Sequence, residues 1–104
     1  MASSKGYLDF IMEQLAELDD VSYRPMMGEY IIYYRGKIVG GIYDDRFLIK
    51  STKSASAMMP NAEILSPYEG AKGMLLVEDV DNKGFLRELF EAIYEELPAR
   101  KKRR

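Results

Sequence analysis

The stretch YRPMMGEYIIYYRGKIVGGIYDDRFLIK, Tyr23 to Lys50, decides the fold. Tyr30, Ile32 and Tyr34 alternate with Ile31 and Tyr33, a two-residue period that belongs to a strand. Both sets are apolar or amphipathic, so one face is core and the other is at least partly covered. Arg35-Gly36 and Asp44-Asp45 read as tight turns, with KIVGGIY (Lys37–Tyr43) a strand between them and Arg46–Lys50 another after them. Short turns between β-rich runs require antiparallel hairpins. Tyr23–Met27 is either a separate strand or the first half of one bent at Gly28. Gly40-Gly41 inside a strand suggests a bulge or a close backbone approach, such as one under a helix.

The flanks change period. In GYLDFIMEQLAEL, residues 6–18, Tyr7, Leu8, Ile11, Met12, Leu15 and Leu18 share one stripe at helical spacing, with Ser3 or Ser4 as cap. Residues 51–59 predict a short helix begun by Ser51 or Thr52 and stopped by Pro60. Asn61–Gly73 reads as loop, compatible with a short strand at Ile64-Leu65. GMLLVE, Gly73–Glu78, is an apolar run of strand length. Residues 82–97 predict the strongest helix, with Phe85, Leu86, Leu89, Phe90, Ile93, Tyr94 and Leu97 on one side. Asp81 is its expected cap and Asp79 the alternative. Each helix has a single apolar stripe and so covers one side of something. The predicted fold is α+β and two-layered: an antiparallel sheet, from hairpins over about 22–50 plus a strand at about 73–78, with amino-terminal, middle and carboxy-terminal helices on one face.

A chain of 104 residues is one domain by size, expected here to span residues 1–98. It contains no Cys and no His, which removes disulfides, thiolate metal sites and the commonest general base near neutral pH. The first residues do not resemble a signal peptide and no run reaches membrane-spanning length, so a cytoplasmic location is expected. Five of the 15 basic residues are Arg100, Lys101, Lys102, Arg103 and Arg104, expected to form a flexible basic tail over 99–104. Residues 1–99 then carry 10 basic against 17 acidic residues, a net of −7. Such a body has no general affinity for nucleic acid.

Candidate sites are few. Tyr30, Tyr33, Tyr34 and Tyr43 are strand-formers first, but exposed tyrosines are enriched where proteins touch, which makes them a candidate partner surface. The tail residues 100–104 are either a solvated end or a weak electrostatic contact for nucleic acid or an acidic partner. DVDNKG, Asp79–Gly84, imitates the start of a calcium loop, yet Lys83 and Phe90 stand where oxygen ligands belong, so it reads as a helix cap. The glycines spell no phosphate loop; without His or Cys the usual triads and dyads cannot form, Lys50-Ser51-Thr52-Lys53-Ser54 holds no Ser-x-x-Lys spacing, and acid pairs such as Asp44-Asp45 sit at turns, where solvated carboxylates are ordinary. No catalytic residue, metal site or cofactor is predicted.

The quoted stretch resembles the amino-terminal domain of the TfoX/Sxy family of competence regulators. The resemblance rests on Arg24-Pro25-Met26-Met27-Gly28, Arg35-Gly36-Lys37, Val39-Gly40-Gly41-Ile42, Asp44-Asp45 and Leu48-Ile49-Lys50. Downstream, Pro67-Tyr68, Met74–Val77 and the closing helix also fit. Two departures stand out: Met27 replaces the usual Phe, and Glu29-Tyr30-Ile31 fills a place that is often richer in Gly. The resemblance implies the same two-layer α+β fold and supplies no catalytic residues. Full-length regulators of this family carry a second, carboxy-terminal domain, so it implies a stand-alone amino-terminal domain here. The expected function is that of a non-enzymatic regulatory or adaptor domain, acting by protein–protein contact in competence or transcription regulation, as a monomer or homodimer. The alternative is a nucleic-acid-associated transcriptional regulator using the tail. A small-molecule-binding or enzymatic domain is the remaining reading, and it requires a deep pocket lined by charged groups.

Overall fold

Three turns build the centre of the sheet. The computed structural model describes residues 3–98, and the predicted tail at 99–104 lies outside them. Strands β1 (Val21–Met26), β2 (Glu29–Tyr34), β3 (Lys37–Ile42) and β4 (Phe47–Lys50) follow one another as antiparallel hairpins. The turns Met27-Gly28, Arg35-Gly36 and Asp44-Asp45 each place both residues at positive φ, from 52° at Met27 and Arg35 to 86° at Gly28. This is the turn geometry whose twist matches that of the flanking strands. It settles the alternatives for Tyr23–Met27: β1 is a strand of its own, and Gly28 closes a hairpin.

The sheet continues through β6 (Met74–Leu76), which pairs with β4, to β5 (Ile64–Leu65) at the edge. Its order is β1-β2-β3-β4-β6-β5, antiparallel throughout. Helices α1 (Lys5–Gln14), α2 (Lys53–Met58) and α3 (Lys83–Ile93) lie at the start, middle and end, and Tyr94–Glu96 adds one 3₁₀ turn. The Ser4 side chain caps α1 by accepting from the Tyr7 N–H, and Thr52 caps α2 in the same way. At α3 the cap is Asn82, accepting from the Phe85 N–H at 3.0 Å, rather than Asp81 or Asp79. The first helix is shorter than its stripe: it ends at Gln14, while Leu15 stays buried and Leu18 packs beyond it.

All three helices feed one core. Leu8, Ile11, Ala55, Leu86, Leu89, Phe90 and Ile93 join Ile32, Tyr34, Val39, Ile42, Phe47, Ile49 and Leu75 in a single buried cluster. Leu48 and Tyr33 are buried outside it, as the alternation along β4 and β2 requires. The helices therefore cover one face, and the second face has its own, smaller cover.

The register slips between Ile32 and Tyr33, with Val39 as the extra residue on β3. The close approach at the glycine pair is to neighbouring strands rather than to a helix. A Cβ on Gly40 would strike the Leu48 carbonyl oxygen and come within 2.6 Å of the Ile49 Cα. One on Gly41 would meet the Tyr30 carbonyl oxygen at 2.6 Å and the Tyr43 ring at 2.7 Å. Backbone cannot yield as a side chain can. Gly40→Ala is therefore expected to lower unfolding stability by about 3 kcal/mol or more in urea titrations. Gly6→Ala, in α1 with no atom within 4 Å of the added methyl, is the control and should stabilise by about 0.5–1 kcal/mol.

Candidate functional site

Strand alternation divides the tyrosine row between two faces. Tyr34 is 2% exposed and sits in the helix-side core, its ring edge-on to Phe90 and Tyr94 at 5.6 and 5.5 Å. That burial removes it from any partner surface. Tyr30 lies on the same side, half-buried against the core and edge-on to Tyr23 at 5.8 Å. Tyr33 and Tyr43 belong to the second face. Tyr33 is only 8% exposed. Tyr43 lies over the bare backbone of Gly41, which explains why Gly41 tolerates no side chain. Burial pushes the Tyr43 hydroxyl above its ordinary pKa, helped by neighbouring Tyr68 and Glu29, so it is neutral at physiological pH. The four residues thus do not form one surface.

The second face instead carries a groove of about 550 Å³. Ile31, Ile38, Tyr43 and Met74 line it from the sheet, and Pro67, Tyr68 and Lys72 line it from the segment before β6. Glu96, Leu97 and Pro98 reach it from the end of α3. The groove is open to solvent, and Tyr68 at its rim is 60% exposed. Of the four candidate tyrosines, only Tyr43 lines this groove. Tyr68 and Lys72 were missed because no periodicity records which face a loop crosses, and Lys50 and Met74, on β4 and β6, because strand alternation does not say which face stays open. A second, smaller hollow of about 230 Å³ lies among Met58, Met59, Leu76 and Phe85.

Glu96 is the carboxylate of the groove lining, and it is engaged. Its two oxygens accept from the Ser54 N–H at 2.9 Å and the Ser54 hydroxyl at 2.6 Å. The Ser54 hydroxyl, its N–H, then Thr52 and Lys53 hold the Glu96 carboxyl below its ordinary value of 4.5. On the other side of the chain end, the Lys37 ammonium donates to the Tyr94 carbonyl at 3.0 Å and lies 4.2 Å from that ring's centre. The last turn is thus tied to both α2 and β3.

Around the Asp44-Asp45 turn a second polar cluster closes. The Ser3 hydroxyl donates to Glu29 Oε1 at 2.5 Å and accepts from the Asp45 N–H at 3.0 Å. Glu29 Oε1 also accepts from the Asp44 N–H, and Asp45 from the Ser4 N–H. Ser3, Glu29, Asp44 and Asp45 are all engaged in holding the turn. Among the described residues, no group of three or more acidic side chains could hold a metal ion, and no helix is long and apolar enough to cross a membrane.

A helix-backed antiparallel sheet with an open second face is a two-layer α+β domain. The chain belongs to the family of the TfoX N-terminal domain, whose model matches residues 13–87. It is also similar to the uncharacterized 12.7 kDa protein in the trpE 5′ region of Spirochaeta aurantia. The two are 33% identical over 105 residues, which covers 100% of this chain and 91% of that protein. No solved structure matches the chain. The matched span holds all six strands, and with them the sheet side of the groove.

Two substitutions separate core tyrosine from rim tyrosine. Tyr34→Ala should lower stability by about 3–5 kcal/mol in denaturant titrations, whereas Tyr68→Ala should stay within about 0.5 kcal/mol of the parent. The Glu96 contacts predict a pH signature. Because its folded pKa is lowered, the stability it contributes is complete above the unfolded value and is lost as pH falls through the folded one. Glu96→Gln should melt at a lower temperature than the parent at pH 7, and the difference should close as pH falls below 4.5.

Proposed function

We propose that this protein is a non-enzymatic regulatory or adaptor domain that docks a protein partner on the second face of its sheet. The observation that carries this reading is the open apolar groove beside exposed Tyr68, on the face the helices leave uncovered. Ligand pockets for small molecules enclose most of their ligand's surface; this one is open to solvent, and its lining includes two residues each of Ile, Met, Pro and Tyr. The lining carboxylate, Glu96, already accepts two hydrogen bonds from Ser54, which argues against its service as a general base. Membership of the TfoX N-terminal family supports a regulatory setting, in competence or transcription.

Contact through this face is testable in the producing cell. A photo-crosslinking amino acid at position 68 should give discrete protein adducts, and one at Glu88 on the outer side of α3 should not. Adding Ile38→Asp, which puts a charge on the groove wall, should abolish the adducts while leaving the thermal melt within a few degrees. Equal crosslinking from both positions, or adducts indifferent to Ile38→Asp, would reject this face as the docking surface.

A further inference from the structure

We propose that the groove takes an acidic amphipathic segment of a partner protein, with apolar side chains on Ile31, Tyr43, Tyr68 and Met74 and carboxylates on Lys50 and Lys72. This inference rests on the docking reading above and names the chemistry of the partner. Lys50, half-buried at the end of β4 and paired with Met74, and Lys72, exposed two residues before Met74, both line the groove. Neither has an ion-pair or hydrogen-bond partner among the described residues. Two ammonium groups on one groove with no counter-charge favour an incoming anion.

The carboxylates nearby are already occupied. Glu96 holds Ser54, and Glu29, beside Tyr43, accepts from Ser3 and Asp44. Glu69 stands in the same segment as Tyr68 but does not line the groove. The body outside the tail is acidic, with 10 basic against 17 acidic residues through residue 99, so the two lysines make a local exception. Pro98 lies on the groove lining, and the next six residues of the sequence contain five cations.

The dimensions fit a chain segment. Ile31 and Met74 stand on β2 and β6, three strand spacings apart, or about 14 Å, which an extended segment crosses in four or five residues. Alternating side chains of such a segment would face the apolar floor and the two lysines in turn.

Fluorescence anisotropy with the full chain tests this directly. The probe is a dye-labelled peptide of about nine residues in which Leu alternates with Glu, compared with counterparts carrying Gln or Lys in place of Glu. The acidic peptide should bind most tightly and the Lys peptide least. Its affinity should fall about tenfold in the double variant K50E/K72E, and fall again with added salt. That variant breaks no ion pair, so an unchanged melt certifies its fold. Equal binding of the Glu and Gln peptides, or indifference to K50E/K72E, overturns the proposal. So does a DNA duplex that binds more tightly than the acidic peptide in the same buffer. If no peptide binds while position 68 still crosslinks in cells, the acidic class falls and the docking face stands; if neither signal appears, both fall.

Discussion

The register set by three two-residue turns is the constraint on which the rest depends. Met27-Gly28, Arg35-Gly36 and Asp44-Asp45 leave no slack between β1, β2, β3 and β4. With loop length fixed, a slip of one residue would exchange the faces of Ile32, Tyr34, Phe47 and Ile49 with those of Ile31, Tyr33 and Leu48. Because both sets are apolar, the hydrophobic pattern alone gives little discrimination between the two registers. The turns must supply it, and they do so against some strain. Met27 and Arg35 hold left-handed backbone without glycine's freedom, a conformation that costs about 1 kcal/mol or more at each. Met27 is 95% exposed, so no packing of its side chain offsets that cost. The compensation comes from the strands it aligns.

Once register is fixed, the second constraint is spacing. Gly40 lets β3 sit against the backbone of β4, and Gly41 leaves room for the Tyr43 ring beside its backbone. The bulge at Val39 accompanies both, and Val39 itself turns into the core. One short segment therefore serves both faces: it closes the helix-side core and places the aromatic wall of the groove.

The architecture was legible from sequence because helices and strands differ in period. Phe85, Leu86, Leu89, Phe90 and Ile93 mark α3 by spacing alone, and the turn pairs mark the hairpins. Its finer choices were not. Asn82 caps α3 although Asp81 stands beside it, a matter of where the chain bends rather than of side-chain chemistry. The tyrosine row was ambiguous for a physical reason: Tyr packs well both in a core and at a wet rim. Tyr34 went to the core because Phe90 and Tyr94 meet it there, a contact more than fifty residues away in sequence. The groove was illegible altogether. It joins β2, β3, β4 and β6 with the segment at Pro67–Lys72 and the end of α3, and no local pattern encodes that meeting.

The last turn of the chain shows how structural and functional demands combine. Glu96 bridges to the start of α2 and Lys37 holds the Tyr94 carbonyl, so the segment leading to Pro98 is anchored from two sides. Anchoring it completes the groove, because Leu97 and Pro98 form part of the lining. It also disposes of a charge. Turned toward Ser54, Glu96 is matched to donors on α2, and it does not neutralise Lys50 or Lys72 by direct pairing. A contact that secures the end of the fold thereby leaves the groove's two cations available on a protein whose body is otherwise acidic.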